Sequence, residues 1–107
     1  MVDNLLEIRE IIKNCNDDTI LLTAHSKNRC VERGIKFEDI KNAIQTGEII
    51  EQYEDDKPFP SCLIFGYSEN NKVLHVVLSM DGNYIYVITA YFPNLIKWNE
   101  DFKTRRR

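Results

Sequence analysis

The sequence predicts an α+β fold: three N-terminal helices packed on one face of a small, mainly antiparallel sheet of four to five strands. Two observations carry this. Up to Gly47 the apolar residues recur at helical spacing, with Leu5, Ile8 and Ile12 in one stretch and Phe37, Ile40, Ala43 and Ile44 in another. From Glu48 onward the period falls to two, and β-branched and aromatic residues dominate. The length of 107 residues supports one hydrophobic core and leaves no room for two, so residues 1–107 are read as a single domain.

The first helix is expected over residues 4–15, opened by a capping box of Asn4 and Glu7. Asn16-Asp17-Asp18 is turn chemistry. Thr19-Ile20-Leu21-Leu22 reads as a brief strand or as an extended entry into the next helix, with the extended entry preferred. Thr23 suits an N-cap and Gly34 a C-terminal cap for a polar second helix of about ten residues. A third helix follows from Phe37 to Thr46, closed by Gly47. Strands are expected at Ile49 to Tyr53, Cys62 to Tyr67, Lys72 to Met80 and Tyr84 to Tyr91. Asn70-Asn71 and Asp81-Gly82-Asn83 supply turn residues, and Lys57-Pro58-Phe59-Pro60 a stiff loop. After Pro93, Leu95, Ile96 and Trp98 are expected to tuck onto the core ahead of a charged tail, residues 99–107.

Composition narrows the function classes. No run of ~18 apolar residues crosses a bilayer, and Met1 to Asn4 lacks secretory-signal character, so a cytoplasmic protein with no membrane partner is expected. Cys15, Cys30 and Cys62 have no C-x-x-C spacing and read as reduced thiols. A net charge of −3 argues against broad binding to DNA. The charge is uneven: Glu48 to Asp56 holds five acids and no base, and Lys97 to Arg107 five bases and two acids.

His25, Arg29 and Arg33 lie at i, i+4 and i+8, along one helix face within roughly 80° of arc. Two guanidiniums and an imidazole suit a phosphodiester, with forked donors for its free oxygens and a group that moves protons near neutral pH. Ala24 and Val31 are read as the anchors of this helix to the core. The same stripe also fits ion pairs with Glu32 or the acidic segment and a histidine that merely packs. His75 interrupts the apolar run Val73 to Leu78. A loop of Asp81-Gly82-Asn83 would set it opposite Thr89 and diagonal to Tyr91, whereas a two-residue loop would pair it with Ile88. A strand histidine fits equally as a hydrogen-bonded core residue, and Tyr91 as packing. No metal site is expected, since His25, His75, Cys30 and Cys62 have no ligand spacing.

The runs His25 to Ile35, Ala43 to Ile50, Leu74 to Val77 and Val87 to Pro93 combine an H-x3-R-x3-R-G-I helix, a T-G-E corner and a closing T-x-Y-x-P strand. In this order they resemble the uncharacterised family known as domain of unknown function 4258, over a core of residues 19–98. That family is similar in turn to RelE- and BrnT-like ribonuclease toxins. The resemblance implies a RelE-like fold and metal-independent, cofactor-free cleavage of RNA by acid/base promotion of 2′-hydroxyl attack on phosphate. It implies catalytic roles for His25, His75 and Tyr91, phosphate binding by Arg29 and Arg33, and support from Thr89. The implied partners are RNA or a ribosome and a cognate antitoxin protein. The sequence departs from the pattern in its acidic charge and in Ser26, where alanine is usual. The acidic charge keeps a second expectation open, a non-catalytic protein- or nucleotide-binding module on the same scaffold.

Overall fold

The computed structural model describes residues 4–107, with side chains from residue 8 onward; the side chains of the Asn4–Glu7 capping pair and of Leu5 lie outside that set. Helix α1 (Asn4–Lys13) lays Ile8, Ile11 and Ile12 at the margin of the core. An Asx turn follows, in which Asn16 Oδ1 accepts from the Asp18 amide at 2.8 Å. The chain then enters strand β1 (Ile20–Leu22) and helix α2 (Ala24–Arg33). Thr23 caps α2, its hydroxyl accepting from the Ser26 amide at 3.1 Å, and Gly34 ends it with φ of 71°. That positive φ is cheap for glycine and turns the Gly34 and Ile35 amides back onto the last carbonyls of the helix.

Helix α3 (Phe37–Thr46) and strands β2 (Glu48–Tyr53), β3 (Ser61–Tyr67), β4 (Val73–Asp81) and β5 (Tyr84–Tyr91) complete the fold. The strand order is β1-β5-β4-β3-β2. The chain is α+β, but the expected arrangement is overturned. The sheet is mixed, because β1 pairs parallel to β5, Ile20 with Ile85 and Leu22 with Val87. The helices are not one N-terminal block, because β1 separates α1 from α2. Nor do they form a single packed layer: α3 lies across β3 and β4, α2 leans on β5, and α1 only borders the core. The physical reason is that Ile20-Leu21-Leu22 is apolar enough to be stabilised as an edge strand beside β5.

One face of the sheet carries the main core, with Ile40, Ala43 and Ile44 of α3 fully buried against Cys62, Ile64, Leu74, Val76 and Leu78. Gly66 permits this contact, since a Cβ there would fall 2.7 Å from Ala43 Cα. The opposite face buries Leu63, Phe65 and His75, with Trp98, 2% exposed, set edge-on against His75. Residues 94–107 form a clasp over that face. Asn94 Oδ1 accepts from the Ile96 and Lys97 amides, Asp101 Oδ1 from those of Lys103 and Thr104, and Trp98 bridges to Arg105. Of the three apolar residues expected to tuck inward, only Trp98 does so, with Leu95 half-exposed and Ile96 exposed.

Two local expectations are also corrected. Asp81 pairs with Tyr84 around Gly82-Asn83, and a bulge at Ile88 then shifts the ladder so that His75 faces Tyr91 and Val77 faces Thr89. Neither expected register survives, because the turn is set at Gly82-Asn83 and the bulge adds one residue more. Ala24 and Val31 do not anchor α2: both are exposed, Val31 to 75%, and the buried positions are Ser26 and Cys30. Ser26 tolerates burial because its hydroxyl reaches the Thr23 carbonyl at 3.1 Å.

Candidate active site at the rim of the sheet

The polar composition of α2 leaves its His25, Arg29 and Arg33 face in solvent while small Ser26 and Cys30 pack inward. Because β1 is only three residues long, the edge of β5 beyond Val87 has no strand neighbour, and Arg33 occupies it. Its Nη1 donates to the Ala90 carbonyl at 2.8 Å and to Thr89 Oγ1 at 3.2 Å. A guanidinium held by one nitrogen keeps its remaining donors for a ligand. Arg29 has a single 3.4 Å contact with Glu32, both side chains roughly half-exposed, which is a weak and displaceable pair. His25 is exposed, one helical turn from Arg29 and ~12 Å along the helix from Arg33.

His75 stands elsewhere, on the sheet face turned away from α3, and is 0% exposed. Its Nε2 lies 2.7 Å from the Phe102 carbonyl and its Nδ1 3.2 Å from Tyr91 Oη. A carbonyl can only accept, so Nε2 carries the hydrogen and Nδ1 takes the Tyr91 O–H. Trp98 meets the imidazole edge-on at 4.5 Å between ring centres, and Phe65 and Tyr91 close two more sides. Burial pushes the His75 pKa below its ordinary value, which keeps the ring neutral, and raises that of Tyr91. Both ring nitrogens are therefore engaged inside the protein.

The six sequence-selected residues thus fall into linked sets rather than one pocket. Arg33 touches Thr89, His75 touches Tyr91, and Thr89 and Tyr91 are neighbours on one face of β5. Arg33 and Tyr91 are close enough for the guanidinium charge to oppose the rise in the phenol pKa. His25 and Arg29 flank this set on the outer surface of α2. None of the six lines the cavity of about 1140 Å³ that lies between α1 and the ends of β3 and β4 over Cys62, Leu78 and Met80.

Sequence reasoning missed the residues that hold His75. Phe102 contributes a backbone atom, which leaves no mark in composition. Arg105 grips Glu51 with two bonds, 2.8 and 3.0 Å, and lies 4.7 Å over Trp98, while Lys103 pairs with Glu48. Those contacts hold Glu51 below the usual carboxylate range, mainly through Arg105, whereas Tyr53 is pushed up to about 12 by burial and by its bond to Glu51. The only sequence signal for this network was the opposed charge of the Glu48 to Asp56 and Lys97 to Arg107 segments. Among the described residues no three His, Cys, Asp or Glu side chains converge as metal ligands. The cysteines are buried and unpaired, and burial pushes the Cys62 thiol up to about 12.

A family model described as Domain of unknown function (DUF4258) matches residues 22–92. No curated protein and no solved structure matches the chain. The family's description assigns no activity, and the match shows no likeness to the RelE-like toxins. No helix among the described residues is long and apolar enough to cross a membrane.

Proposed function

We propose that this chain, which belongs to the family described as Domain of unknown function (DUF4258), is a metal-independent ribonuclease of the RelE/BrnT toxin type. The observation that carries the proposal is the fixing of Arg33 on the β5 edge, which presents the stripe of α2 as one cationic rim beside Thr89 and Tyr91. Arg29 and Arg33, one helical turn apart, hold consecutive phosphates of an RNA strand. His25 lies within reach of the phosphate on Arg29 and is the solvent-facing imidazole of the pair, so it carries the proton transfer. In the reaction the 2′-oxygen loses its proton to the base and bonds to phosphorus. The phosphorus–O5′ bond breaks, and O5′ takes up a proton. The products are a 2′,3′-cyclic phosphate and a 5′-hydroxyl.

His75 changes role in this scheme. A general acid or base must come within hydrogen-bond reach of the substrate, and a sealed ring with both nitrogens engaged does not. It acts as a positioning residue that fixes Tyr91, whose oxygen keeps lone pairs for a hydrogen bond to substrate. A cognate antitoxin would cover the same rim.

The test is cleavage of varied RNAs in chelator, including messenger RNA on translating ribosomes, with the cyclic phosphate identified by mass. His25→Ala and Arg29→Ala should each lower the rate at least 100-fold with the fold intact. Intact RNA under all these conditions would end the ribonuclease reading. The alternative, a non-catalytic protein- or nucleotide-binding module, is favoured by one observation, the closure of His75. It would then be identified by tight binding of a nucleotide or protein without turnover.

A further inference from the structure

The clasp of residues 94–107 covers only part of the sheet face that bears His75. It seals the row of Phe65 and His75 and reaches Glu51 on β2, but the portion toward the β4–β5 turn stays open. There Tyr84 is 48% exposed, and Tyr86, Val77, Ser79 and Thr89 are half-buried. All five point to the same face: Tyr86 pairs with Ser79, Thr89 with Val77, and Tyr84 with Asp81. Along β5 the row therefore reads Tyr84, Tyr86, Thr89, with Arg33 bonded to the last. At ~3.3 Å per residue the two phenol rings stand about 7 Å apart.

We propose that this row is the seat of the bases of a single-stranded RNA, two of them stacking on Tyr84 and Tyr86 while the backbone follows the α2 side to Arg33 and Arg29. The inference rests on the ribonuclease reading and deepens it by naming the substrate form. Three features select that occupant. Exposed aromatic rings on a sheet face stack on any base, and only unpaired bases offer both their faces. The small Ser79 and Val77 beside the rings leave space above the sheet for a flat base. Charge sets the direction of the backbone: Asp81 opposite Tyr84 repels phosphate from the β4 side, and the guanidiniums attract it on the other. A duplex hides its bases in the stack and cannot use the rings.

The experiment is fluorescence anisotropy with a labelled 2′-O-methyl uridine octamer, which lacks the nucleophile for cleavage, and with the same octamer annealed to its complement. Wild type should bind the single strand at least tenfold more tightly than the duplex. Tyr84→Ala and Tyr86→Ala should each weaken single-strand binding about tenfold, as one lost stack implies. Tyr86→Phe, which keeps the ring and the fold, should bind like wild type, and Arg33→Ala should lower the salt dependence by about one charge. Equal binding by wild type and both alanine variants overturns the track while leaving the ribonuclease reading intact. Preference for the duplex overturns the track alone. Absence of any binding by wild type, together with uncleaved RNA, overturns both.

Discussion

Replacing His75 by alanine separates a positioning histidine from a catalytic one, because the two roles predict opposite balances of stability and activity. The side chain is fully buried and contacts Phe65, Tyr91 and Trp98, so its removal opens a cavity in an aromatic cluster. Truncation of a buried ring costs ~3–5 kcal/mol. Total stability for a domain of this length is ~5–15 kcal/mol, so the variant should retain its fold with a narrow margin. At ~4 °C per kcal/mol its melting temperature falls by roughly 12–20 °C. Urea unfolding followed by tryptophan fluorescence reads this directly, since Trp98 is the single tryptophan and touches the ring. Tyr91→Phe in the same series should show a coupling with His75 of ~0.5–1.5 kcal/mol, the net value of one hydrogen bond. A loss below about 1 kcal/mol would refute the cavity reasoning. Accompanied by abolished RNA cleavage, it would return His75 to the chemistry.

Stability should be highest above pH 6.5 and decline on acidification, because His75 and Glu51 both have folded pKa values below their ordinary ones. The unfolded chain then binds the extra protons. The first loss enters as pH falls below 6.5 through the folded histidine value and the second below 4.5 through that of Glu51; in an acid unfolding series Glu51→Gln should remove only the second. Gly66→Ala forces a methyl against the backbone of Ala43 and should destabilise by ~1–3 kcal/mol, measured by urea midpoint. Thr23→Ala removes the cap of α2 and should cost ~1 kcal/mol, with Thr23→Asp recovering most of it in thermal melts.

What was legible in the sequence was local. Thr23 and Gly34 bound α2 because capping chemistry acts within one helical turn, and the β3–β4 hairpin shows in Asn71, which takes a φ of 62°. Parallel pairing of Ile20 with Ile85 leaves no such mark, since no short turn joins the two strands and a three-residue apolar run is ambiguous by itself. The bulge at Ile88 is equally silent, because any residue can be the extra one, yet together with the placing of the turn at Gly82-Asn83 it moves His75 from its expected partners to Tyr91. The i, i+4, i+8 stripe placed three residues on one exposed face, but helical spacing could not say which residues anchor the opposite face. Burial of Ser26 in place of Val31 follows from the fit of α2 against β5.

The same nonlocality explains why the two halves of the candidate site differ in kind. Arg33 is fixed by a neighbouring strand whose edge β1 is too short to cover, so an absence of pairing creates the anchor for the rim. His75 is sealed by residues beyond the family-matched segment, Trp98 and Phe102, with Arg105 holding Trp98 from above, as the segment folds back over the sheet. A clasp that buries a tryptophan so completely is unsuited to opening during turnover, since exposing that ring alone costs several kcal/mol. The proton-transfer groups of any reaction at this surface must therefore lie on the α2 side of β5. His25 is the imidazole there, and an inactive His25→Ala paired with an active but less stable His75→Gln is the pattern that the proposed ribonuclease predicts.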